Sequence, residues 1–338
     1  MSFRTRVTIL GGLALLLMIT LTIGVLRSPR RRPAAGAGVA LIVPGTSDRV
    51  TRVAIDGRDT VGLQRDRDGN WWLEAGERLL PARDDRVDEL LRVLGDGRTT
   101  RRVTADRELW PDFGLDRQSA RRITLYGSDG QELVTVAYGR RTHAGGEAYV
   151  RRGASAEVFT VDAAPLFYLE RDSVYWMELR LFASLIGSDA ITRLELSADI
   201  ADPSGLWRRF AYRLRRDGSG TWLLADNRGE RVARQSRVRE LLAALVALEG
   251  ARVAPAAATP AAAAVAELEF TLQDASRYQV LVYDAANGDQ FIMRAAGPGV
   301  PLDGTGEPIH YRVNAWTLER VFRPPEDIIN IDGPNEGD

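Results

Sequence analysis

The sequence predicts an α+β protein, with an N-terminal transmembrane helix followed by two tandem, homologous domains, each an antiparallel sheet with helices. Three observations predict it. One uncharged apolar run near the N-terminus is long enough to cross a bilayer. Segments of strand-like and helix-like periodicity alternate through the rest of the chain. The same order of segments then occurs a second time at constant spacing.

At 338 residues the chain exceeds one ordinary domain and can bury two cores. Hydrophobic residues at 45% and charged residues at 27% are the values of a folding chain. The formal net charge is −1, so no overall field attracts nucleic acid and no nucleic-acid partner is expected. All 45 basic residues are Arg, which points to codon bias more than to chemistry. The absence of Cys excludes disulfides, thiolate metal sites and Cys nucleophiles.

The apolar run is Val7 to Leu26, flanked by Arg4 and Arg6 on one side and Arg27 on the other. Its length, at ~1.5 Å per residue, matches the ~30 Å hydrocarbon core. A cleaved signal peptide is the competing reading, with Ala35 and Ala37 resembling a cleavage site. The run is longer than a signal-peptide apolar region, and Arg27, Arg30, Arg31 and Arg32 stand before that site, so an anchor is expected. Those four Arg outnumber the two before the helix, which by the positive-inside rule alone keeps the large region in the cytoplasm. The chain divides into a tail (1–6), the transmembrane helix (7–26), a linker (27–48), a first α+β repeat (49–183), a second (184–332) and a C-terminal tail (333–338).

The repeat is read from three pairs of segments. VTRVAI from Val50 is echoed by ITRLEL from Ile191, both alternating apolar and polar positions. LQRDRDGNWWLEA from Leu63 is echoed by LRRDGSGTWLLAD from Leu214, each a hairpin turning at glycine before a Trp-bearing strand. DRVDELLRVL from Asp85 is echoed by SRVRELLAAL from Ser236. Leu63 to Leu214, Trp71 to Trp222 and Leu90 to Leu241 are each 151 positions apart. Val87, Leu90, Leu91 and Leu94 recur as Val238, Leu241, Leu242 and Leu245, a helical stripe able to pack on a sheet. Asp84 or Asp85, and Ser236, are expected as N-caps.

Later correspondences are looser. RITLYGSDGQELVTVAYG from Arg122 resembles FTLQDASRYQVLVYDA from Phe270, and AYVRR from Ala148 resembles HYRV from His310. Each copy therefore reads as a hairpin, a helix, about three antiparallel strands and a closing helical turn. The copies differ between helix and later strands: DRELWPDFGLD in the first, and PAAATPAAAA, a flexible connector interrupted by Pro255 and Pro260, in the second.

An anchor, a Trp strand before LLPARDDRVDELLRVL, the FGLD of Phe113 to Asp116, YGRRTHAGGEAYVR, and YWMELRLF before a new strand together resemble the bacterial domain-of-unknown-function 4340 family. The resemblance covers Val50 to about Phe182, and the second half lacks the Gly-Leu-Asp element. It implies an anchored protein of the bacterial inner membrane, encoded beside ABC-type transporter components like those of gliding-motility systems, with an extracytoplasmic accessory role. It carries over no active site.

The residues themselves offer little chemistry. His143 lies in a Gly-rich loop and His310 before a strand, and neither neighbours a GxSxG-type nucleophile turn. Two distant His without His or Cys neighbours do not form a zinc ligand set. For a calcium loop, aligning Gly69 to the sixth position places Gln64 first and Ala75 twelfth, where carboxylates are required, so Asp66 and Asp68 read as a hairpin turn. Asp112-Phe113-Gly114 lacks every other kinase element. Asp84-Asp85 at a helix start suits the macrodipole. The consecutive Arg pairs at 101-102, 121-122, 140-141, 151-152, 208-209 and 215-216 point to opposite strand faces and read as solvated sheet positions. Among the seven Trp, a carbohydrate or partner platform is the alternative to core packing, and Trp71 and Trp222, which hold equivalent positions, read as core. No catalytic, cofactor or metal residue is therefore assigned. The expectation is a non-catalytic accessory or scaffolding protein of an ABC-type transport assembly. An anchored binder of cell-envelope polymers or peptides and an uncharacterised hydrolase are the alternatives.

Overall fold

Apolar and polar residues alternate along many of the strands, which bury the apolar face and leave the other more exposed. In β1 (Arg52–Asp56) Val53 and Ile55 are buried while Asp56 is exposed. The computed structural model describes residues 38–185, 187–201, 207–255, 263–285 and 290–329. The expected transmembrane helix at 7–26, most of the low-complexity stretch Pro255 to Ala264 (residues 256–262) and the C-terminal tail lie outside the described residues. Among the described residues no helix is long and apolar enough to cross a membrane.

The first sheet continues through β2 (Thr60–Arg65), β3 (Trp71–Ala75) and β4 (Arg78–Pro81), a meander of short turns. Helix α1 (Asp84–Asp96) then crosses one sheet face and delivers the chain to the opposite edge, β5 (Thr99–Thr104). The chain returns to the sheet centre as β6 (Arg121–Tyr126) beside β1, followed by β7 (Glu132–Arg141), β8 (Glu147–Arg152) and β9 (Val158–Asp162). The strand order is β4-β3-β2-β1-β6-β7-β8-β9-β5, all antiparallel.

The second sheet repeats this order nine strands later. Its strands are β10 (Ile191–Ala201), β11 (Trp207–Arg216), β12 (Trp222–Asp226), β13 (Gly229–Val232), β14 (Arg252–Val253), β15 (Ala266–Leu272), β16 (Arg277–Asp284), β17 (Gln290–Ala296) and β18 (His310–Asn314), with α2 (Gln235–Val246) between β13 and β14. The order is β13-β12-β11-β10-β15-β16-β17-β18-β14.

Each helix lays its apolar stripe on its own sheet: Val87, Leu90, Leu91 and Leu94 from α1, and Val238, Leu241, Leu242 and Leu245 from α2, are all buried. Full burial of one such side chain contributes about 1.5–3 kcal/mol. Trp71 and Trp222 open the third strand of their sheets and are buried. Their preceding turns also correspond. Asp66 Oδ1 accepts the N–H groups of Asp68 and Asn70, and Asp217 Oδ1 accepts those of Ser219 and Thr221. Gly69 and Gly220 supply the positive φ, +93° and +88°, that such a turn requires.

Several expectations need correction. A four-strand meander, not a hairpin, precedes each helix, and four strands plus an edge strand follow it. AYVRR lies on β8, whose counterpart by strand order is β17, whereas HYRV lies on β18. The longer connection between β17 and β18, residues 297–309, against 153–157 in the first sheet, displaced that alignment. The helices begin at Asp84 and Gln235 with Arg83 and Arg234 in the cap positions, and neither is side-chain capped. Instead the Trp71 N–H donates to Asp84 Oδ1, and the Trp222 N–H to Gln235 Oε1, each at 2.9 Å. Packing also starts before residue 49: Leu41 and Ile42 are buried in the first core. Leu179, Leu181 and Phe182 already belong to the second core.

Candidate functional site

The residues weighed for chemistry are kept apart. His143 is exposed in the turn between β7 and β8 of the first sheet, and His310 is half-buried at the start of β18 in the second. Burial, then the cations of Arg294 and Arg78, hold the His310 imidazole below its ordinary pKa. Asp66 closes its turn and accepts the Trp72 indole N–H at 2.8 Å. Asp85 pairs with Arg83, whose hydrogen bonds keep its carboxyl low despite partial burial. Trp71, Trp222 and Trp176 are buried, while Trp316 is 63% exposed. Among the described residues no group of three or more acidic or His side chains could hold a metal ion.

The Phe113 to Asp116 motif closes the far face of the first sheet, the face opposite α1. Gly114, at φ +67°, ends a short 3-10 turn, and Leu115 becomes fully buried with Ala120, Ala137 and Val158. Asp116 Oδ1 accepts the N–H groups of Gln118 and Ser119, which turns the chain into β6. The Phe113 carbonyl rests so close to Gly139 of β7 that a Cβ there would lie 2.1 Å from it. Asp116 is therefore a turn former.

The YWMELRLF segment, Tyr175 to Phe182, is the seam between the units. It borders the first sheet through Arg83 N–H to Trp176 O and Glu178 N–H to Pro81 O, both at 2.8 Å. It then borders the second unit through Leu181 N–H to Leu248 O at 3.0 Å and Gly250 N–H to Leu179 O at 2.9 Å. Glu178 is buried and receives both the N–H and the guanidinium of Arg180. Further along β4, Arg78 reaches Asp303 at 3.1 Å, and the Gly304 N–H donates to Leu79 O at 2.8 Å. Burial works to raise the Asp303 carboxyl, but hydrogen bonds from Thr305, Glu307 and Arg78 hold it low. Leu80 of β4 packs into the second core. The sequence marks this seam only as a motif before a new strand; the Glu178-x-Arg180 pairing was the available signal.

The far face of the second sheet is shaped differently. Grooves of about 740 and 570 Å³ run along β10, β11, β15 and β16, the first lined by Arg193, Arg215 and Arg277 with Glu195 and Glu269, the second by Arg213 with Glu195, Glu267 and Glu269. Arg215 belongs to the consecutive pair 215-216, whereas Arg193 and Arg277 join it only through strand pairing.

Fold and seam define a class: a tandem protein of two nine-stranded antiparallel sheets, each with its helix. The chain belongs to the family described as "Domain of unknown function (DUF4340)", whose model matches residues 71–269, more than half of it. An uncharacterised protein of Treponema pallidum (strain Nichols) is 24% identical over 133 residues, covering 39% of this chain and 42% of that relative. The match thus spans less than half of either protein. No solved structure matches the chain.

Proposed function

We propose that this protein is a membrane-anchored, non-catalytic accessory or scaffolding protein that works by contact, with a partner in the same bilayer such as an ABC-type transporter. The observation that carries the reading is the apolar run Val7 to Leu26, joined by residues 27–37 to a chain that is hydrogen-bonded to Thr99 at Val39 and buried in the first core at Leu41 and Ile42. Thr99 N–H donates to Val39 O, and Leu41 N–H to Gly97 O. That connection reaches at most roughly 40 Å when fully extended. The first unit is thereby held near the bilayer, where a two-dimensional search raises the effective concentration of a membrane partner. The bonded seam supports presentation of both units together. The family resemblance supports an extracytoplasmic placement at the bacterial inner membrane. The shared strand order and the 151-residue spacing support an origin of the two units by duplication.

Alkaline carbonate extraction tests the anchor: the full chain is expected to stay with membranes. Release into the soluble fraction overturns it. Protease added to intact spheroplasts tests the topology: external units are digested, and full protection places them in the cytoplasm.

A further inference from the structure

The two sheets share a fold, so a difference between equivalent positions isolates what one has acquired. One cross-strand row on the far face differs in charge. In the first sheet it reads Gln64, Arg52, Tyr126 and Glu132 on β2, β1, β6 and β7. Arg52 is neutralised by Glu74 of β3 through two hydrogen bonds, at 2.8 and 3.0 Å, and its guanidinium lies 5.4 Å from the Tyr126 ring centre.

In the second sheet the row reads Arg215, Arg193, Thr271 and Arg277 on β11, β10, β15 and β16. The partners of Arg52 are replaced, and the two carboxylates that line the same groove are engaged elsewhere, Glu195 by Arg213 and Glu269 by the Gln279 amide. The counterpart of Glu74 is Ala225, 151 positions on and likewise paired to the second strand of its sheet. Thr271 stands where Tyr126 stacks, and Arg215 and Arg277 stand where Gln64 and Glu132 do. Arg215 retains a partner, Glu230, at 2.7 Å. Among the described residues no ion pair engages Arg193 or Arg277, and both are exposed. Like charges directly opposite on neighbouring strands destabilise a sheet, so the Arg193–Arg215 pairing carries a cost without an internal return.

We propose that this row is a binding site for a phosphate-bearing polymer. Arg193 and Arg277 lie two strand spacings apart, roughly 10 Å, flanking Thr271 in a groove of about 740 Å³. An extended chain carrying successive phosphates can lie along such a groove, whereas a flat bilayer cannot enter it. Phosphate suits the row better than carboxylate. A tetrahedral group offers oxygens to two guanidinium groups and a Thr hydroxyl at once, while a carboxylate is filled by one bidentate Arg. The site is independent of the scaffolding reading and adds a ligand to it.

The test uses the full chain in a neutral detergent with fluorescent linear polyphosphate as the probe, read by anisotropy at low and moderate salt. The intact protein binds, and affinity falls steeply with salt. The double variant Arg193→Gln/Arg277→Gln binds at least about tenfold more weakly and shows a smaller salt slope. Its thermal midpoint is unchanged or higher, because the like-charge pair is gone. Arg52→Gln in the first sheet binds as the intact protein does. Polyglutamate competes poorly, and mixed micelles containing phosphatidylglycerol do not displace the probe. Undiminished binding in a folded double variant, or absence of binding by the intact protein, overturns the proposal. So does equal competition by polyglutamate or displacement by the phospholipid micelles.

Discussion

Trp71 and Asp84 are joined between strand and helix: the Trp71 backbone N–H donates to Asp84 Oδ1 at 2.9 Å. Trp222 makes the same bond to Gln235, a neutral side chain. The bond therefore requires an acceptor oxygen and not a charge. Asp84→Asn is expected to fold with nearly unchanged stability, whereas Asp84→Ala leaves the Trp71 N–H unpaired and costs about 1–3 kcal/mol. Urea denaturation of the two variants separates these outcomes, and equal losses would mean that the charge matters.

Gly139 is expected to tolerate no side chain. Its Cβ would lie 2.1 Å from the Phe113 carbonyl oxygen, a backbone atom that cannot swing aside. Gly139→Ala should cost about 1–3 kcal/mol through overpacking and lift the Phe113 to Asp116 loop off the sheet. Trp110, stacked under Arg151 at 4.1 Å, reports the movement by a change in fluorescence.

The seam should govern cooperativity. Asp303→Ala removes the acceptor shared by Arg78, Thr305 and Glu307. Gly304→Val drives a side chain into Leu79, whose Cβ would be 2.7 Å from the new one. Either variant is expected to split one unfolding transition into two, because docking contributes to both units. Calorimetry checks this, and a single transition at a lower midpoint would show that the units fold together without these contacts.

His310 gives the protein an acid-sensitive stability. Its folded-state pKa is lowered by burial and by Arg294 and Arg78, so between that value and the unfolded value of about 6.5 the unfolded chain holds the extra proton. Stability is complete above that window and falls as pH drops through it. His310→Gln should flatten the dependence of thermal midpoint on pH between about 7 and 5, with carboxylate contributions common to both proteins.

The helix stripes and Trp strands were legible because each lies within one element, where periodicity and a fixed spacing suffice. Leu90 and Leu241 fall where the pattern puts them, on α1 and α2. Cross-strand relationships were not legible. Arg193, Arg215 and Arg277 are far apart in the chain and meet only through sheet register. AYVRR pairs by strand order with β17 and not with HYRV, because the long connection before β18 breaks the constant spacing that holds through the first four strands and the helix. The caps misled for a local reason: Asp84 had a nearby backbone N–H to satisfy on β3, outside its own helix.

Contact with a membrane partner can be read by crosslinking in intact cells followed by identification of the captured proteins. A membrane protein, such as a transporter subunit, is expected to be captured equally by the full chain and by the His143→Ala/His310→Ala variant, and lost when either unit is deleted. Capture of no membrane protein, together with a hydrolytic activity that disappears in the double-His variant, would contradict it.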